Sequence, residues 1–102
     1  MTVYFLLVLV YPLLEEWVFR GTLQPALKKS APFRKQFFSI TLANLVTSVI
    51  FSALHLFNHS VLWALAVFFP SLVFGWAMDR FKQLAAPVVL HVFYNAGYFL
   101  LF

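Results

Sequence analysis

The sequence predicts an all-α membrane protein, a bundle of about four transmembrane helices around a buried polar site. Three observations predict it. Apolar residues make up 64% of the 102 and charged residues only 10%, where a soluble domain has roughly 25% charged, and the mean hydropathy is +0.92. Phenylalanine alone supplies 14 residues, more ring area than a core of this size can enclose, so lipid must be the solvent. The apolar runs are continuous rather than alternating, which favours helices over barrel strands, because lipid forces each backbone group to bond within its own segment. At about 20 residues per span the length leaves room for one membrane-embedded domain, residues 1–102, and no separate soluble one.

Four runs supply the helices: residues 2–19, 37–57, 61–78 and 85–102. The first has neither a basic flank nor a small-residue cleavage site, so it is expected to be retained as a span and not removed as a signal peptide. Pro12, Pro70 and Pro87 lie in or at the edges of the runs, where they mark kinks or first turns. Loop 21–36 carries Lys28, Lys29, Arg34 and Lys35, and loop 79–84 carries Arg80 and Lys82 beside Asp79, while 58–60 and both termini carry no Lys or Arg. The positive-inside rule then places both basic loops in the cytoplasm and both termini opposite. This distribution accounts for the net charge of +4 without nucleic acid, whose binding would ask for basic residues interleaved with aromatics on one face. The absence of cysteine excludes disulfides and thiolate metal sites.

Two of the three acidic residues, Glu15 and Glu16, stand side by side on the first run. An ionised side chain in mid-membrane costs about 2.5–3.5 kcal/mol, so such residues face a bundle interior and have a partner or a task. Arg20 lies one turn beyond Glu16, at i,i+4, whereas Glu15 points about 100° away and is left to face something else. His55 lies near the end of the second run. His91 and Asn95, again at i,i+4, project from one face of the last. A carboxylate, imidazoles and an amide are suited to peptide hydrolysis, with a base to activate water and donors to stabilise an oxyanion.

In order and spacing, Glu15-Glu16-x-x-x-Arg20, Phe51-x-x-x-His55 and His91-x-x-x-Asn95 resemble the three motifs of the CAAX-protease and bacteriocin-processing family of intramembrane endopeptidases. The phrase Glu15-Glu16-Trp17-Val18-Phe19-Arg20-Gly21 is especially similar to that family's first motif. The resemblance implies a multi-helix protease, once described as metal-dependent and now usually viewed as a glutamate protease. It implies that Glu15 activates water, that His55 helps hold it, that His91 and Asn95 stabilise the oxyanion, and that Glu16 and Arg20 give support. It further implies a membrane-associated or lipid-modified protein or peptide as substrate. Members usually carry further spans before the first motif, where about 14 residues stand here. The chain is therefore expected to be a minimal member, a fragment, or one whose wall comes from another subunit or a further copy.

Plain alternatives stand beside these roles. Glu16 with Arg20 is also a structural ion pair, and His91 with Asn95 a pair bonding across helices. Asp79 reads as a solvated span end, and Trp63, Trp76 and the tyrosines as interface anchors or lipid-facing bulk. His59, four residues past His55, gives a His-x-x-x-His that could bind zinc, but Asn58 and Ser60 beside it read as loop. No cofactor is expected. Zinc on His55, His91 and one glutamate is the competing arrangement, and it would leave no obvious base. Two other functions fit the same polar pocket: a non-catalytic membrane peptide-binding or immunity protein, and a small proton-coupled transporter.

One geometric constraint follows. If the second run were a straight helix from Phe37, His55 would lie ~27 Å along it, far from Glu15. The site closes only if that helix is tilted, starts late near Thr41, follows an interfacial segment, or if the orientation is inverted.

Overall fold

A computed structural model describes residues 2–101. Helix α1 runs Thr2–Leu27, well past the Phe19 at which the sequence suggested a loop. It absorbs two prolines by widening. A π turn at Leu6–Val10 closes through the Tyr11 N–H on the Leu6 carbonyl, just before Pro12. A second, at Phe19–Leu23, closes through the Gln24 N–H on the Phe19 carbonyl, just before Pro25. A proline ring has no N–H and crowds the carbonyl four residues back; a widened turn relieves both problems without ending the helix.

A short hairpin follows, β1 (Gln36–Phe37) against β2 (Ile40–Thr41), after a 3-10 turn at Ala31–Arg34. Helix α2 spans Leu42–Leu54, with Thr41 as its cap: the Thr41 hydroxyl accepts the Asn44 N–H at 3.0 Å. The helix thus starts late, which is one of the ways the second run could bring His55 back to the site. It ends in a 3-10 turn at His55–Phe57. Helix α3 spans Val61–Phe81, capped by Ser60, and α4 spans Ala85–Leu101 with Pro87 in its first turn. Helix α3 packs on both α2 and α4, and α1 closes against α4.

By length and composition α1 and α3 are able to cross a membrane; α2 with its terminal turn and α4 are shorter apolar helices. The four runs are therefore not equal spans, because the hairpin takes the first residues of the second run. The interior is inverted relative to a soluble domain. Its largest fully buried side chains are Arg20, Gln24, Glu16 and Asn44, while Leu62 and Phe69 face outward. Large apolar groups on the outside and polar groups within are the arrangement that lipid as solvent selects.

Candidate active site

Three elements bring the predicted residues together: α1 carries Glu15, Glu16 and Arg20, the end of α2 carries His55, and α4 carries His91 and Asn95. Glu15, His55, His91 and Asn95 all line one cavity of about 650 Å³. Glu15 is about one-third exposed to it, its Oε2 3.9 Å from His55 Nε2 and its Oε1 3.7 Å from His91 Nε2. Both separations exceed a direct hydrogen bond.

The other ring nitrogen of each histidine is committed. His55 Nδ1 lies 2.7 Å from the Phe51 carbonyl, which can only accept, so Nδ1 carries the hydrogen and a neutral His55 presents a bare Nε2 to Glu15. His91 Nδ1 lies 2.7 Å from Glu16 Oε2, with Phe74 stacked on the ring at 4.6 Å. The same Glu16 oxygen accepts from Arg20 at 3.1 Å. Glu16 is thus joined across helices to His91 as well as to Arg20 within its own helix. Asn95 donates to the Leu7 carbonyl at 2.9 Å, inside the first π turn, and keeps a second amide hydrogen. His59 lies in a loop, as its neighbours suggest, yet it also lines the cavity, stacked between His55 at 5.8 Å and Trp63 at 4.5 Å.

Behind Glu16 a polar stripe continues that the sequence reading missed. Arg20 donates to the carbonyl and hydroxyl of Ser71, the Ser71 hydroxyl donates to Ser48 at 2.9 Å, and Ser48 donates to Asn44 at 3.2 Å. Asn44 reaches the Leu72 carbonyl at 2.9 Å. Gln24 reaches the Gly75 carbonyl at 3.1 Å and Asp79 at 3.0 Å. The spacing was the available signal: Glu16, Arg20, Gln24 and Lys28; Asn44, Ser48 and Ser52; Ser71, Gly75 and Asp79 each recur at four. In an α-helix, steps of four drift by roughly 40° each, so the α1 series would spiral through roughly 120°; the extra residue of one π turn takes back roughly 100°. The turn at Phe19–Leu23 therefore keeps Glu16, Arg20, Gln24 and Lys28 on one face.

Asp79 is no solvated span end. Its side chain is 9% exposed, and it accepts from Gln24, from Lys28 at 2.8 Å and from Thr41 at 2.7 Å. Gly75 makes this end possible, because a Cβ there would collide with the Asn44 side chain and lie 2.8 Å from Gln24 Oε1. Gly75→Ala is accordingly expected to destabilise the fold by about 1–3 kcal/mol, read as a lower melting temperature of the purified protein in detergent. A melting temperature equal to the parent's would show that this contact is not tight.

A carboxylate faced by two imidazole nitrogens inside a helical bundle is a set of groups able to hold a water and move its protons. The family model for Rce1-like type II CAAX prenyl endopeptidases matches residues 1–97, and the chain belongs to that family. No curated protein and no solved structure matches it. Its family is thus one of CAAX endopeptidases, proteases embedded in membranes.

Proposed function

We propose that the chain is the catalytic core of an intramembrane glutamate endopeptidase that hydrolyses a peptide bond of a lipid-modified protein. The observation that carries this reading is the convergence of Glu15, His55, His91 and Asn95 on one cavity, with both histidine Nε2 atoms directed at the Glu15 carboxylate. A water at the cavity wall gives one hydrogen to Glu15 and the other to His55 Nε2, which leaves an oxygen lone pair free for the scissile carbonyl. Glu15 takes the proton as the water oxygen bonds to carbon, then returns it to the leaving nitrogen as the C–N bond breaks.

His91 stabilises the oxyanion only with a hydrogen on Nε2. Because Glu16 accepts at Nδ1, the ring then carries both hydrogens and acts as an imidazolium between two carboxylates. Arg20, Glu16, His91 and Glu15 together then carry no net charge, the arrangement a low-dielectric interior favours. The remaining amide hydrogen of Asn95 is the second donor. By the positive-inside rule the basic end of the bundle, with Lys28, Lys29, Arg34 and Lys82, faces the cytoplasm, and the chain is multi-pass.

The reading is tested with purified chain in proteoliposomes, given a prenylated CAAX peptide and its unprenylated twin. Mass spectrometry is expected to find a new C-terminus within the CAAX segment of the prenylated peptide. Peptide binding without a product would favour a non-catalytic binder, and proton flux without a product a transporter.

Zinc fits the donor chemistry but not the spacing: among the described residues no three carboxylate or imidazole groups are placed to share an ion. Histidines that donate from Nδ1 and present Nε2 are nevertheless the pattern seen on metal ligands, so the test is worth making. Turnover is expected to survive exhaustive chelation. Stoichiometric zinc, with activity lost on its removal and restored on its return, would overturn the glutamate mechanism.

A further inference from the structure

We infer that the basic end of the bundle holds a binding site for the phosphate headgroup of an anionic phospholipid. A second cavity, of about 380 Å³, lies between the end of α1, the 3-10 turn at Ala31–Arg34 and the end of α3. Its wall carries Lys28, Lys29, Arg34 and Lys82 against the single carboxylate of Asp79, four positive charges to one negative. Lys28 is spent on Asp79, at 2.8 Å. Among the described residues no side chain partners the ammonium groups of Lys29 and Lys82. Topology alone explains basic loops, since the positive-inside rule counts charges and does not ask that they line a concavity.

Two further features give the pocket a direction. Lys82 ends α3 in the left-handed region, φ 56°, its N–H on the Met78 carbonyl at 2.8 Å. Glycine occupies such a position most cheaply, so the chain holds a cation there against local preference. The hairpin rises from the same rim: Thr41 at its base bonds Asp79, and Phe37 and Phe38 at its tip stand exposed, Phe38 fully so and itself at φ 52°. Cations that meet a phosphate beside aromatic rings that enter the acyl layer suit a lipid at the membrane surface. A small dissolved anion would use the charges and leave the two rings unexplained.

The test is native mass spectrometry of the purified full chain in detergent, titrated with phosphatidylglycerol, with phosphatidylcholine and with inorganic phosphate. Phosphatidylglycerol is expected to bind in preference to both. Each headgroup-facing Lys contributes about fivefold in affinity, so Lys29→Gln with Lys82→Gln should weaken phosphatidylglycerol binding about thirtyfold. Lys35→Gln with Arg80→Gln removes the same charge outside the pocket and should weaken it only a few-fold. Equal losses in the two double variants, or equal binding of the two lipids, would overturn the site in favour of general surface charge. Displacement of phosphatidylglycerol by inorganic phosphate at matched concentration would overturn the lipid as its occupant. Melting temperatures of both double variants are measured alongside, and an unfolded Lys29/Lys82 pair is replaced by the two single variants, each expected to lose about fivefold.

Discussion

Glu15→Gln is expected to lower turnover at least about a thousandfold while leaving the fold intact, since general-base catalysis contributes about 10²–10⁴ and here the base also creates the nucleophile. The separation of the two effects follows from the geometry. Among the described residues the nearest partners of the Glu15 carboxylate are His55 and His91, at 3.9 and 3.7 Å, both beyond hydrogen-bond range. A glutamine of the same shape therefore breaks no hydrogen bond of the bundle, and although it withdraws one of the two carboxylates that offset His91, Glu16 still holds that ring, so the loss of stability is small beside the loss of turnover. What it loses is the capacity to take a proton from water. Single-turnover cleavage of a prenylated CAAX peptide, with a melting curve of the same preparation, reads both effects. Turnover within tenfold of the parent would remove Glu15 from the chemistry, and a collapsed melting curve would show that it holds the structure instead.

The residues that proved legible in the sequence were those with no cheap alternative. Glu15, Glu16 and Arg20 inside an apolar run could not be left facing lipid, and the four-residue spacing of His91 and Asn95 put both on one face of a helix. The late start of α2 was one of four ways the sequence left open to bring His55 near Glu15, and Thr41 as cap explains it locally. The extension of α1 to Leu27 was not legible. Gly21, Pro25 and the lysines at 28 and 29 read locally as loop, and tertiary context overrode that preference: a π turn accommodates Pro25, and Gln24 and Lys28 find their partner in Asp79 on another helix. The bond from Glu16 to His91 escaped for a related reason. Spacing along one helix identifies Arg20 as the partner of Glu16 but carries no information about a ring 75 residues away. Serines and asparagines in an apolar run look neutral until three helices set their stripes against one another, as Asn44, Ser48 and Ser71 do.

Arg20→Ala should have the opposite profile to Glu15→Gln, with loss of folded protein as its primary effect. Arg20 is fully buried, donates to Glu16 and to the carbonyl and hydroxyl of Ser71, and lies over the Phe51 and Phe74 rings at 5.1 and 5.7 Å. Its removal leaves the buried Glu16 carboxylate with His91 alone to offset it among the described residues, and empties the volume between two rings. Breaking a buried pair by deleting one partner costs about 3–5 kcal/mol, a large fraction of a typical domain's stability. Arg20→Lys keeps the charge but loses the fork that reaches Glu16 and Ser71 together, so it should fall between parent and alanine. The decisive comparison is a double-mutant cycle with Glu16→Gln and Arg20→Met, which removes both charges while keeping the volume filled. If the charge left on Glu16 dominates, the double variant melts well above the single Arg20→Met, because neither charge of the pair remains. Its turnover should nonetheless stay low, since His91 then lacks the carboxylate that offsets its charge as an imidazolium. Additive destabilisation in the cycle would locate the role of Arg20 in packing against Phe51 and Phe74 rather than in the charge network that supports the site.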